Sequence, residues 1–378
     1  MKKTKIYAEV LENEALEQFE SAMAEPFAVQ WALMPDAHTW YSLPIWAVVA
    51  TKWVIVPAWV WYDIGCWMSA LKLDIKKDEL KWHKDTIFNK IYEKIPVWFN
   101  KHEEAVNVKY PEWSITETTA KLLKERGRKQ IWTLWWGNHF IEIWYDEDEN
   151  VWIIIHSWSR WFWHWIASHY MKLASWDWKA REWHFWFDVN SQNWKDYIRD
   201  MKCALDFAIL NRFLMICVVE DIICESTSNK LKNHNELFRD MNTDEYEWIY
   251  INRNHNHAEE KDWLWIHRKW ATHAEKWMMW VIPWNMRDWS FIVKWKWCED
   301  SLCSSSHWAW RILWRKAAKK ALNLDDFKET MKWITAKVCE ETKDESPEAY
   351  KNIFDVMKQQ DDLVEVVAHI TPLINIKA

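Results

Sequence analysis

An α+β fold built as one domain is what this sequence predicts, and three observations predict it. Short apolar, β-branched runs with turns between them (43–73, 278–294) coexist with long stretches of helical spacing (195–225). No internal repeat and no low-complexity linker divides the 378 residues. Half of the chain is apolar and 28% charged, which suits a globular protein with a sizeable core rather than a disordered one. The expectation is one domain over 1–378, with helical elaborations at about 195–247 and 311–364.

The elements follow in order. Residues 43–73 read as strands, and Val151 to His156 as a buried strand ending in a polar motif. Residues 164–174 and 195–225 read as helices, the latter carrying Tyr197, Met201, Leu205, Ala208 and Phe213 near the i, i+3/i+4 spacing. Segment 225–247 is polar and reads as a surface connection. Two strands around a turn are expected at 278–294, a basic helix at 311–323, an acidic helical region at 324–364 and a final strand at 370–377.

Charge and cysteine usage exclude several classes. A net charge of −7 and a sequence pI near 6.1 give no global basic field of the kind that holds duplex nucleic acid, though a local basic track remains open. The seven cysteines are scattered without a C-x-x-C pair, which suits reduced thiols and a cytoplasmic setting. The basic start is followed by Ile6-Tyr7-Ala8-Glu9-Val10 and more acids, unlike a signal peptide. No charge-free run of eighteen apolar residues suggests a membrane span.

The composition is odd in one respect: 3 glycines and 38 tryptophans. Average usage would give about 26 glycines in a chain of this length. Many tryptophans stand where a turn is expected, as in Lys52-Trp53-Val54, Val60-Trp61-Tyr62, Lys269-Trp270-Ala271 and Pro283-Trp284-Asn285, and others crowd the polar stretch His156–His164. A Trp-rich core would place its indoles on apolar faces, which these are not. The pattern is that of glycine written as tryptophan, as when a gene that reads UGA as glycine is translated with a table that reads it as tryptophan; Trp152 reads as genuine.

Five segments concentrate reactive side chains. Tyr62-Asp63-Ile64-Gly65-Cys66-Trp67 offers a carboxylate and a thiol three residues apart in a tight turn. Asn138, His139 and Glu142 follow a glycine turn, His156 ends its strand ahead of Ser157 and Arg160, and Asn252 to His257 holds two further histidines. Singly each is weak, since a lone histidine or cysteine is more often structural. Together they form a soft-to-borderline donor set that suits manganese, zinc or iron better than magnesium. The fifth segment, Cys303 to Arg311, becomes H-G-A-G-R when Trp308 and Trp310 are read as glycine, a loop able to cradle phosphate ahead of a basic helix. His307 there has the chemistry of a ligand, a general base or a nucleophile toward phosphorus.

These motifs resemble those of the RtcB family of RNA-splicing ligases along most of the chain. Met34-Pro35-Asp36-Ala37-His38-Thr39-Trp40 is similar to M-P-D-x-H-x-G, and Asp63 to Trp67 to D-I-G-C-G. Residues 132–142 are similar to G-T-L-G-G-G-N-H-F-I-E, His156 to Trp163 to H-S-G-S-R-G-x-G, and His307 to Arg311 to H-G-A-G-R. In each the mismatches are tryptophan for glycine. The resemblance implies one catalytic domain with a mixed or antiparallel β core and surrounding helices. It implies a GTP- and manganese-dependent ligase that joins RNA 3′-phosphate or 2′,3′-cyclic phosphate ends to 5′-hydroxyl ends, as in tRNA splicing and RNA repair.

Carried over position by position, the resemblance makes Asp63, Cys66, His139, His156 and His255 ligands of two manganese ions, with Cys66 bridging, and His307 the residue that takes up guanylate. It assigns GTP contacts to Asn138, His139, Phe140, Ile141, Glu142, His255, Asn256, Pro283, Trp284, Asn285, Met286, Ser290, His307, Trp308, Ala309, Trp310, Tyr350 and Lys377. Glu142 would face the guanine edge and Tyr350 stack on the base, while Arg160, Arg311 and Arg315 would meet RNA phosphates. Asn285 departs from the serine of some members. The implied partners are RNA ends and GTP, with an activating protein partner and a monomer or weak dimer both open. A metal-dependent phosphoesterase acting on cyclic-phosphate ends, or an RNA-end-binding protein without catalysis, are the alternatives.

Overall fold

The computed structural model describes residues 3–107, 114–135, 137–159, 161–229, 250–306, 308 and 311–377. Its largest sheet runs in the order Met279–Ile282, Ser290–Trp295, Val364–Lys377, Phe140–Tyr145, Asn150–Ser157, Trp67–Lys76, Tyr250–Asn254, with every neighbour antiparallel. A second sheet runs Lys3–Ile6, Ala28–His38, Ile45–Thr51, Leu264–Lys269, Asn256–Lys261. With the helices packed around these sheets, the fold is α+β.

The large sheet is buried on both faces, and the two-residue period of a strand sorts its side chains between them. Ile141, Ile143, Val151, Ile153 and Ile155 join one apolar cluster with Ile87, Ile91 and Met215. Phe140, Trp144, Trp152 and Ile154 join the other. Register pairs Phe140 with His156 and with Lys377, and Glu142 with Ile154 and with Asn375. Glu142, His156, Asn375 and Lys377 therefore share the face of the second cluster, which is the face that carries the reactive groups.

A single helix, Gln192–Thr227, spans about 54 Å and packs along the strand Asn150–Ser157. Ser191 caps its start, its hydroxyl accepting from the Trp194 amide at 3.1 Å. Tyr197, Met201, Ala208 and Phe213 are buried as the spacing predicts, and Leu205 is half-buried. Asp200 is buried on the same helix and accepts from the Thr116 amide at 3.0 Å, the Thr119 hydroxyl at 2.7 Å and the Tyr170 hydroxyl at 2.7 Å. It thereby fixes the helices Glu117–Glu125 and Trp161–Ala174.

Several expectations need correction. Residues 43–73 include a short helix, Pro57–Val60, started by proline at its first position. The basic helix is only Arg315–Ala321. The acidic region 324–364 is not one helical stretch: Leu324–Thr330 and Ile353–Lys358 are separated by a strand, turns and two 3-10 segments, because Asp344 and Glu345 turn inward to ion pairs with Arg311, Arg315 and Lys319. The last strand starts six residues earlier than expected, at Val364, and runs to Lys377. The paired strands Met279–Ile282 and Ser290–Trp295 match the expectation for 278–294. Most of 225–247 lies outside the described residues. The sheet strand Ala28–His38 holds the Met34–His38 motif, which carried no strand signal in the sequence.

Among the described residues, seventeen non-glycine positions have positive φ, and ten are tryptophan: 46, 53, 61, 98, 132, 178, 263, 270, 277 and 297. That left-handed region is ordinary for glycine and strained for a bulky side chain. No helix among the described residues is long and apolar enough to cross a membrane.

His267 is fully buried in the second sheet, accepting from the Val56 amide at 3.0 Å and donating to the Val49 carbonyl at 3.3 Å. Burial pulls its pKa down to about 4, so the fold keeps it neutral. The unfolded chain takes up that proton below about pH 6.5, so this contribution to stability is intact at pH 7 and is lost as pH falls toward 4, by up to about 3 kcal/mol. Denaturant titrations at pH 7 and 4.5 check it: the loss on acidification should be smaller in His267→Gln than in the parent.

Candidate functional site

Three strand ends meet at one place in the large sheet. Trp67 pairs with both Ser157 and Asn254, so Cys66, His156 and His255 emerge side by side. The backbone completes the junction: the His255 amide donates to the Cys66 carbonyl at 3.4 Å and the Gly65 amide to the Asn256 carbonyl at 3.3 Å. The thiol and the two imidazoles are all buried, with one ligand atom of each within 4.8 Å of the others. Cys66 Sγ lies 3.3 Å from His156 Nε2 and 3.6 Å from His139 Nε2. His156 Nδ1 donates to the Asn138 carbonyl at 3.0 Å, which leaves Nε2 as the ring's lone pair, facing the sulfur.

The turn before Cys66 depends on Gly65. Its φ is +71°, and a Cβ there would sit 2.9 Å from Ala208 Cβ on the long helix, so both conformation and space require glycine. Burial pushes the Asp63 carboxyl up to about 7, and burial together with Asp63 pushes the Cys66 thiol up; the Arg212 guanidinium acts in the opposite sense. Protons thus occupy donors that a cation would displace. One thiol, three imidazoles and a nearby carboxyl fit a transition-metal ion.

Two residues that the sequence reading missed hold this junction. Arg212 is fully buried and donates to the Gly65 carbonyl at 3.1 Å, the Ser157 carbonyl at 3.0 Å, the Ser69 hydroxyl at 3.1 Å and the Asn252 side chain at 3.3 Å. Asn211 accepts from the Thr133 amide at 3.2 Å and donates to the Ser157 hydroxyl at 3.2 Å and the Trp158 carbonyl at 3.4 Å. The available signal was a polar pair inside the apolar run Ala208-Ile209-Leu210-Asn211-Arg212-Phe213-Leu214-Met215.

Beside the junction, Glu142 is buried, and burial pushes its carboxyl up. Oε2 accepts from the Trp144 indole at 2.9 Å, Oε1 accepts from Asn375 Nδ2, and Lys377 Nζ lies 3.6 Å away. Lys377 also sits 4.3 Å over the Phe140 ring. Tyr350 is buried, donates to Glu345 at 2.6 Å and accepts from Arg311 at 2.8 Å. The turn of Pro283, Trp284, Asn285 and Met286 reaches this side through the Trp284 indole, which donates to the Lys351 carbonyl at 2.8 Å. Asn285 accepts from the amides of Arg287 and Asp288 and so is spent on its own turn. Ser290 accepts from the Trp284 amide at 3.3 Å. Asn256 is buried and accepts from the Trp270 amide at 2.6 Å, and Ile141 faces the opposite side of the sheet.

Arg311 and Arg315 are both engaged in ion pairs, Arg311 nearly buried and Arg315 half-buried. Arg311 pairs with Glu345, and Arg315 with Asp344 at 2.5 Å and Glu345 at 2.6 Å. Arg160, His307, Ala309 and Trp310 lie outside the described residues. Trp308 is buried, with its ring 5.3 Å from His156 and 5.8 Å from Phe140. Trp158 stacks on His139 at 5.8 Å and Trp270 lies 5.3 Å from His255, so each imidazole of the junction has an indole against it.

Comparison with known proteins returns one consistent family. A family model described as "tRNA-splicing ligase RtcB" matches residues 18–122 and 109–378. The chain is similar to the RNA-splicing ligase RtcB of Escherichia coli (strain K12), 29% identical over 398 residues that cover 97% of this chain and 95% of that protein. It is also similar to the tRNA-splicing ligase RtcB of Nanoarchaeum equitans, 26% identical over 99% of this chain and 93% of that one.

The donor set predicts that Mn²⁺ or Co²⁺ raises the melting temperature of the intact protein and leaves that of Cys66→Ala unmoved. Arg212→Met keeps every donor but strands the oxygens that Arg212 serves. It should cost about 3 kcal/mol in denaturant titration and weaken the metal-induced shift.

Proposed function

The chain belongs to the RtcB family, and on that footing we propose that it is an RNA ligase, dependent on GTP and manganese, that joins RNA 3′-phosphate or 2′,3′-cyclic phosphate ends to 5′-hydroxyl ends. The observation that carries the reading is the meeting of Cys66, His156 and His255, with His139 beside them, next to a buried Glu142, Lys377 and Tyr350. One side offers donors for a transition-metal ion, the other a carboxylate, a cation and an aromatic ring suited to a nucleobase.

Asp63, Cys66, His139, His156 and His255 would hold the two manganese ions. Bound manganese would neutralise phosphate charge and favour in-line displacement. The protein's own groups account for the rest. Glu142 accepts from the N–H donors of guanine, and Tyr350 stacks on the base. His307 attacks the α-phosphorus of GTP, forming an N–P bond as pyrophosphate leaves. Trp308, its neighbour in the chain, has its ring 5.3 Å from that of His156 and 5.8 Å from that of Phe140. The guanylate then passes to the RNA 3′-phosphate, freeing His307. Attack by the 5′-hydroxyl makes the phosphodiester and expels GMP. A cyclic-phosphate end is first opened by water to the 3′-phosphate.

RNA contacts through Arg311 and Arg315 require that their pairs with Asp344 and Glu345 be shared with phosphate. Intact mass after incubation with GTP and Mn²⁺ tests the reading. A guanylate adduct is expected on the parent chain and none on His307→Ala. No adduct on a folded, metal-loaded protein would favour the phosphoesterase instead.

A further inference from the structure

Glu345 belongs to none of the motifs, yet its buried carboxylate contacts four polar groups. Oε1 receives Arg311 and, at 2.6 Å, Arg315; Oε2 receives the Tyr350 hydroxyl at 2.6 Å and faces Lys377 Nζ at 3.7 Å. Lys377 therefore stands between two buried carboxylates, 3.6 Å from Glu142 and 3.7 Å from Glu345. Arg311, Arg315, Lys319 and Lys377 surround Glu142, Asp344 and Glu345, so each carboxylate of the cluster has a cation against it.

The oxygens of Glu142 offer about four lone-pair sites. Asn375 and the Trp144 indole take two. Lys377, 3.6 Å away and shared with Glu345, stands in a long ion pair with Glu142 and not in a short hydrogen bond. We propose that Glu345 is a positioning residue that determines base specificity: it holds Lys377 off Glu142, which keeps Glu142 an open double acceptor for the N1–H and 2-amino donors of guanine. The inference rests on the GTP reading above. Without the Glu345 charge, Lys377 closes on Glu142, fills an acceptor site and neutralises it. Adenine presents an acceptor at N1, which a bare carboxylate repels and a neutralised one does not.

The test is the ratio of kcat/KM for GTP to that for ATP in enzyme-nucleotide adduct formation, measured on the parent, Glu345→Gln and Glu345→Asp with melting temperatures alongside. The expected result is a fall in the ratio of at least tenfold in Glu345→Gln, with most of it restored in Glu345→Asp. An unchanged ratio in Glu345→Gln, or an equal loss with both nucleotides, overturns the proposal and leaves a structural role only. A parent that binds no GTP brings down the underlying reading, and this inference with it.

A different observation, the backbone at the tryptophans, carries a second inference. We infer that the protein made in its own cells has glycine at the ten tryptophans of positive φ. Asp262 and Trp263, with φ of 50° and 64°, form the two-residue loop between the paired strands Asn256–Lys261 and Leu264–Lys269. Such a loop calls for Asp-Gly, because the chain twist demands two left-handed residues. Trp263 is also 81% exposed, so its indole gains no burial that would offset the strain. Trp144 and Trp152 are different: both are buried on strands, and their indole N–H groups donate to Glu142 and Asp146. Mass-spectrometric sequencing of peptides from the natively produced protein decides between these. Glycine at 263, 270 and 277 with tryptophan at 144 and 152 is expected; tryptophan at 263, 270 and 277 would refute the inference.

Discussion

Arg212 is the constraint on which the arrangement of the site depends. A guanidinium withdrawn from water is costly, and here its hydrogen bonds go to carbonyls, a hydroxyl and an amide oxygen of the strands around it. Burial pulls its pKa down to about 9, still charged at neutral pH. Its donors are satisfied by the Gly65 turn, the end of the His156 strand and the Asn252 strand coming to one point. Those are the three segments that deliver Cys66, His156 and His255. The same charge favours the Cys66 thiolate against burial and against Asp63. One side chain thus sets both where the donors are and how readily one of them ionises.

The side of the site around Glu142 and Lys377 is organised on a different principle. Ion pairs buried among apolar groups contribute little net stability, but they restrict geometry severely, because a displaced partner leaves a bare charge. Glu142, Lys377, Glu345 and the two arginines form such a set, closed by Tyr350, whose hydroxyl bridges a carboxylate and a guanidinium. The strand Val364–Lys377 supplies Asn375 and Lys377 on the face shared with Glu142, so pairing in the sheet sets their registration. Arg311 and Arg315 come to the site already ion-paired, in keeping with a chain of net negative charge.

Much of the site was legible because its residues sit in short motifs whose members are neighbours in the chain: Asp63 to Cys66, Asn138 to Glu142, His156 and Asn256. The long helix was legible from its spacing. What the sequence could not show depends on distant partners. Glu345 reads as one acid in an acidic run, and only contacts from Arg311, Arg315 and Lys377 set it apart. Asn211 and Arg212 are a polar pair in an apolar run whose purpose shows only once the strands they serve are placed. The region 324–364 carries helix-forming residues, yet its middle is pinned by ion pairs that helical geometry would not satisfy. The tryptophans distorted the local reading most, because turns and hairpins are recognised largely by their glycines.

The helix Gln192–Thr227 carries Asp200 and the Asn211–Arg212 pair about three turns apart. Asp200 is fixed to one pair of helices and Arg212 to the ligand strands, both through bonds that tolerate little rotation. Each residue inserted or deleted between them would turn one anchor by about 100° relative to the other and shift it by about 1.5 Å along the axis. The stretch 200–212 therefore acts as a fixed-length gauge. Substitutions can drift within it, but insertions and deletions cannot accumulate there without dismantling the site, so changes in chain length must be absorbed elsewhere.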